Sequence, residues 1–175
     1  MAARSQSNDR YKKQKAKRLR RHALQLAQVN AGRACGGCTA CCTVMGVAEI
    51  PTPFFTRCPH ETDAGCAIYD KRPGACRDFY CEWLVGGFGE ADRPDKLGLL
   101  FVPTRYADAG VVHECLVAYE VWPSAADSEA ARTILASASV RGEVGLIRHR
   151  DLSTCRLLGS NRVVVPHVTA AVMPR

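Results

Sequence analysis

Cys35-Gly-Gly-Cys38-Thr-Ala-Cys41-Cys42 places four cysteines in one short run. A CxxC step lets two thiolates reach one metal ion from a tight turn, because two intervening residues fold the backbone back without strain. Gly36-Gly37 permits the positive φ that such knuckles use. Overlapping steps strengthen the signal. Adjacent Cys41 and Cys42 point in different directions in a turn or extended chain, so they need not ligate the same ion. A pair of neighbouring metal sites, or one polynuclear cluster, is expected.

Working outward, Cys58 and Cys66 flank Pro59-His-Glu-Thr-Asp-Ala-Gly65, whose Asp-Ala-Gly tip predicts a turn that brings both thiols together as the legs of a hairpin. Cys76 and Cys81 bracket Arg77-Asp-Phe-Tyr80, about one helical turn. The candidate ligands are therefore Cys35, Cys38, Cys41, Cys42, Cys58, Cys66, Cys76 and Cys81. Eight thiolates suffice for two tetrahedral zinc sites or for an iron–sulfur cluster with ligands to spare. Two zinc ions with eight thiolates carry a charge of about −4, which makes Arg33, Arg57, Lys71, Arg72 and Arg77 reasonable hydrogen-bond donors around the sulfurs. His60 is the only histidine positioned to replace a thiolate, although a solvated turn residue is the favoured reading. The region from Cys35 to Cys81 is broken by Pro51, Pro53, Pro59 and Pro73 and has too few consecutive aliphatics for a core. Something other than hydrophobic burial is expected to hold it.

The remaining chain sets the context for those thiols. Its 175 residues, 47% of them hydrophobic and 23% charged, are those of a globular protein. No run approaches the roughly 18 to 20 apolar residues of a membrane helix, and the polar, basic N-terminus lacks a signal-peptide apolar region. A cytoplasmic protein with no membrane association is expected, and in a reducing cytosol clustered thiols are metal ligands or catalytic groups sooner than disulfides. Charge is segregated. Residues 1–21 hold nine Lys/Arg and one Asp, a net +8, and residues 22–175 hold 15 positive and 16 negative groups, a net −1. Ala16, Leu19, Ala23, Leu26 and Ala27 form one apolar stripe on an otherwise basic helix that Gly32 ends. Nucleic acid is a candidate partner through residues 1–21, at even weight with a solvated tail.

After Gly86-Gly-Phe-Gly89 and Arg93-Pro94 the aliphatics cluster in runs. Leu97 to Val102 and Val111 to Trp122 predict an antiparallel hairpin turning around Ala107-Asp-Ala-Gly110. Ser124-Ala-Ala-Asp127 resembles a capping box, opening a helix to about Ser139 with Ala131, Ile134, Leu135 and Ala138 on one face. Val144 to Arg148 and Arg162 to Pro166 are two further short strands. The predicted fold class is α+β: a basic N-terminal helix (1–32), an irregular cysteine-rich metal-binding module (33–89), then a small antiparallel sheet with one helix (90–175).

The CxxCxxCC opening, Cys58, and Gly65-Cys66-Ala-Ile-Tyr69-Asp-Lys-Arg72-Pro73-Gly-Ala-Cys76-Arg77-Asp-Phe-Tyr-Cys81-Glu-Trp83 together resemble the YkgJ-type CxxCxxCC family, described as a zinc- or iron-chelating domain. The resemblance spans about residues 33 to 85. It implies metal chelation by cysteines, with zinc or iron, including an iron–sulfur cluster, as the cofactor. Cys35, Cys38, Cys41, Cys42, Cys58, Cys66 and Cys76 fall on the family's pattern, whereas Cys81 matches a less regular extra position. Tyr69, Arg72, Pro73 and Arg77 sit where the pattern has them. Arg72 or Arg77 can donate to metal-bound sulfur or to an anionic ligand near it, although packing, turn-setting and local carbonyl contacts weigh ahead. Trp83 and Phe79 are expected to close the module against the α+β layer.

Cys115, two residues from His113, reads as a buried small hydrophobe sooner than a nucleophile, and Cys155 lacks CxxC spacing. No Ser/His/Asp arrangement or carboxylate pair supports hydrolysis. Three functions remain: a non-enzymatic cysteine-cluster metalloprotein, an iron or iron–sulfur enzyme whose C-terminal layer completes a substrate pocket, and an RNA- or ribosome-associated factor using the basic arm.

Overall fold

The aliphatic runs of the C-terminal half assemble a five-stranded sheet whose strands lie side by side in chain order. The structure, a computed structural model, describes residues 33–109, 111–160 and 162–164. The basic arm and helix read over residues 1–32, and the end of the strand read to Pro166, lie outside the described residues.

Two two-residue strands, β1 (Glu61–Thr62) and β2 (Gly65–Cys66), form a separate hairpin in the cysteine-rich segment. The large sheet begins with β3 (Leu99–Asp108), paired antiparallel to β4 (Val111–Glu120) from Leu99↔Glu120 to Asp108↔Val111. Pro103 is accommodated because β3 is an edge strand, where a missing N–H breaks no second ladder. Leu99, Leu100, Phe101 and Val102 are all buried, so the sheet is covered on both faces at this end. At the hairpin's far end the strand leaves the core: Val111 and Val112 are exposed.

The sheet is mixed, which corrects the antiparallel expectation. β5 (Val144–Ile147) lies parallel to β4, with Leu116↔Val144 through Tyr119↔Ile147. Parallel neighbours require a long crossover, and the helix Glu129–Arg141 supplies it. β6 (Cys155–Leu157) and β7 (Val163–Val164) complete the order, antiparallel to their neighbours. The crossover helix buries Ala131, Leu135 and Ala138, as its spacing predicts. Its cap is Ser128, whose hydroxyl accepts from Ala131 N at 3.2 Å. Ser124 instead sits at φ +62 before a 3-10 turn, Ala125–Asp127, so the capping box read there is not the helix start. Glu120, 2% exposed at the end of β4, accepts from Ala126 N (3.0 Å), His149 N (2.9 Å) and Arg148 Nη1 (3.1 Å). A buried carboxylate needs such partners, and this one joins β4, the 3-10 turn and the exit of β5.

The cysteine-rich segment adds two short helices, α1 (Ala40–Val44) and α2 (Gly74–Asp78), and a third, α3 (Pro94–Leu97), leads into β3, so the crossover helix is α4. Burial contributes here more than the sequence suggests. Ala40, Val44, Met45, Phe55, Trp83 and Leu84 belong to one buried cluster with Leu99, Leu100, Val117 and Ile147 of the sheet. Each apolar residue is isolated in sequence, yet each reaches the sheet's core, and the described residues from Cys35 onward form one compact unit. Glu82 N also donates to Phe101 O at 2.9 Å, fastening the segment to the outer side of β3. Among the described residues, no helix is long and apolar enough to cross a membrane.

Candidate metal centre

The first CxxC step closes a tight turn, with Cys38 N donating to Cys35 O at 2.9 Å and Gly36 at φ +53. The chain then enters α1, which carries Cys41 and Cys42 at successive helical positions, about 100° apart around its axis. Cys58 returns to α1, its N–H donating to Cys42 O at 3.0 Å. Asp63-Ala64 turns the β1–β2 hairpin that Cys58 precedes and Cys66 ends, as the Asp-Ala-Gly signal predicts. Cys76 lies inside α2, whose Ala75 N donates to Glu49 Oε1 at 3.2 Å, and Cys81 follows as a buried residue of the shared core.

This folding brings all eight candidate cysteines to one cavity of about 70 Å³, room for several water-sized bodies. Its other walls are mostly apolar, including Met45, Ile68, Phe79, Leu84 and Leu100, with His60, Tyr69 and Arg72 the charged or chargeable side chains besides the thiols among the described residues. Arg72 stacks on Tyr69, 3.6 Å from the ring centroid, and its Nε is buried with no hydrogen-bond partner. An orphaned buried donor in a thiol-lined wall suits an anionic ligand shell.

The electrostatics point the same way. Burial pushes the Cys38 and Cys76 thiols up to about 11 and raises those of Cys35 and Cys81. Backbone N–H groups of Ala40 and Asp95 oppose this at Cys38, those of Leu84 and Trp83 at Cys81, and the Arg72 guanidinium at Cys35. Cys41 donates to Cys42, which holds Cys41 protonated and lowers Cys42. Left alone, the pocket keeps most thiols neutral, and a bound thiophilic cation is what would draw their protons off. The donor set therefore fits zinc or iron. Among the described residues no three His, Cys, Asp or Glu donors converge closely enough to hold an ion as they stand, so ligation requires the sulfurs to draw inward.

Of the cations proposed around the sulfurs, Arg72 alone among those described from 57 onward lines the cavity. Arg57 pairs with Glu61 (3.4 Å) and Asp63 (3.8 Å), and Lys71 and Arg77 are exposed. Cys115 and Cys155 are buried in the sheet, away from the cavity wall, and His113 stacks on Tyr106 at 5.0 Å. Trp83 and Phe79 do line the wall between the two regions. Sequence reasoning missed Asp95. Burial works against its charge, but a bidentate Arg93 pair (2.6 and 2.7 Å) and the Cys38 thiol hold its carboxyl below the usual range. Asp95 lies in a segment read only as a junction, and nothing in its spacing marks it.

No protein-family profile, curated protein or solved structure matches the chain. The resemblance of residues 33–85 to the CxxCxxCC family therefore rests on the motif residues themselves.

Proposed function

We propose that this chain is a cysteine-cluster metal-binding protein of the reducing cytoplasm that takes zinc or iron, an iron–sulfur cluster included, through Cys35, Cys38, Cys41, Cys42, Cys58, Cys66, Cys76 and Cys81. The observation that carries this reading is that eight cysteines, spread over residues 35–81, line one cavity, and the two outside that span do not. When bound, the metal supplies a charge that organises the thiolates. Arg72 and the N–H groups of Ala40, Asp95, Trp83 and Leu84 stabilise the thiolate form.

A purely structural or metal-carrying role is favoured over an enzyme. The C-terminal layer gives the cavity only Pro94 and Leu100, neither able to move a proton or orient a polar substrate. The test is elemental analysis and a visible spectrum of full-length protein purified without oxygen. Zinc thiolates are colourless, whereas iron–thiolate centres absorb visible light. A stoichiometric thiophilic metal supports the reading, and a fully reduced, folded chain that binds neither zinc nor iron overturns it.

A further inference from the structure

The eight thiols do not surround the cavity evenly. Cys35 and Cys38 face each other across the CxxC turn, and both pack, with Cys41, against the buried cluster to which Cys81 belongs. The other four hang on the hairpin side. Cys58 is hydrogen-bonded through its backbone to Cys42 O, Cys58 O accepts from Glu61 N (3.0 Å) at the base of the β1–β2 hairpin, and Cys66 ends that hairpin. None of these four packs on the sheet's core cluster.

We propose that the cavity holds two separate tetrathiolate sites, a core-side site of Cys35, Cys38, Cys41 and Cys81 and a hairpin-side site of Cys42, Cys58, Cys66 and Cys76, with the boundary running between the adjacent Cys41 and Cys42. The inference rests on the metal-binding reading above and specifies its geometry. Successive positions of α1 diverge by about 100°, which is what lets neighbouring residues serve different ions. Cys41 and Cys42 touch each other, so the two sites share a wall. The core-side set, packed on the buried cluster, is the more preorganised of the two, and the tighter.

The experiment titrates full-length reduced protein with Zn²⁺ against a chromophoric chelator under argon. Two ions per chain are expected, with the second released first. Cys38→Ser and Cys81→Ser should each leave one ion, Cys66→Ser and Cys76→Ser should each leave one, and the Cys38→Ser/Cys76→Ser double variant should leave none. Cadmium-113 loading of the unaltered chain gives a second readout that needs no variant to fold: two tetrathiolate resonances without cadmium–cadmium coupling are expected. Coupled resonances from a bridged cluster, a single bound ion, or loss of both ions in any one single variant would overturn the two-site division while leaving metal binding intact. An unaltered chain that binds neither Zn²⁺ nor Cd²⁺ would overturn both.

Discussion

Gly65 faces the carbonyl of Gly36 so closely that a Cβ at Gly65 would stand 2.9 Å from that oxygen, and its φ of +120° is one that side chains rarely adopt. The β1–β2 hairpin and the CxxC turn are thus held in register by two glycines. Gly65→Ala should force them apart at a strain cost of about 1–3 kcal/mol. Weaker zinc affinity by chelator competition is the expected outcome, together with a lower urea midpoint, because the segment and the sheet share one core. Unaltered affinity would show that the close approach is not needed for ligation.

Arg72 should matter through Nε and not through charge alone. Both Arg72→Gln and Arg72→Lys are expected to lower metal affinity about 10–100-fold, the usual effect of removing a partner outside the ligand shell. Lysine has no donor at the buried Nε position, so it should rescue poorly. Full rescue by lysine would reduce the role of Arg72 to a point charge.

Cys155 fills the space left by a glycine in the neighbouring strand. A Cβ on Gly145 would collide with Cys155 Sγ, and Cys155 is fully buried. Gly145→Ala should destabilise the fold by about 1–3 kcal/mol through overpacking. Adding Cys155→Ala should recover much of that loss, a coupling visible in a double-mutant cycle of urea midpoints. Metal content should not change in either variant.

Alkaline pH should weaken the fold through the same region. Burial pushes Cys115 up to about 12, with Cys155 and Glu143 adding to it, and burial pushes Cys155 to about 11. Between the ordinary thiol range and those values the unfolded chain has lost protons that the folded chain keeps, so stability falls as pH rises. It is fully present below about pH 8.5 and lost toward pH 11 to 12. Replacing Cys155 with alanine should flatten the decline by at most about 1.4 kcal/mol per pH unit. Unfolding midpoints of the zinc-loaded chain from pH 7 to pH 10.5 provide the check, and an identical slope in the variant would remove Cys155 from the account.

The basic arm carries a separable prediction. With a net +8 in residues 1–21 and −1 in the rest, nucleic-acid affinity should vanish on deletion of the arm. Full-length protein should show a log–log salt slope of about −4 to −7, with little sequence preference. Equal binding by the truncated chain would place the surface elsewhere, and absence of binding by both would make the arm a solvated tail.

Much of the site was legible because ligand spacing is local. The CxxC turn and the Asp-Ala-Gly tip each act over fewer than ten residues, and such short-range geometry survives whatever the rest of the chain does; the one-turn interval read from Cys76 to Cys81 does not hold, because α2 ends at Asp78 and the backbone is extended at Phe79. The mixed sheet was less legible: β5 reads as a strand, but nothing local says that it will lie parallel to β4. β6, with only Cys155-Arg-Leu157, is too short to show alternation. The helix start was misplaced because Ser124 and Ser128 both offer a hydroxyl at a plausible distance, and only the backbone conformation selects Ser128. Isolated apolar residues such as Val44, Phe55 and Trp83 carry no periodic signal, so their shared core with the sheet emerges only in three dimensions.

The single bond from Glu82 N to Phe101 O has a consequence for solubility. β3 is an edge strand whose outer groups would otherwise offer a template to another chain, and exposed edges are where aggregation begins. The cysteine segment lies across that edge, and the bond follows directly after Cys81. Undocking of the segment would uncover a row of unpaired backbone groups beside Leu100 and Phe101, so the docked segment also guards the chain against self-association.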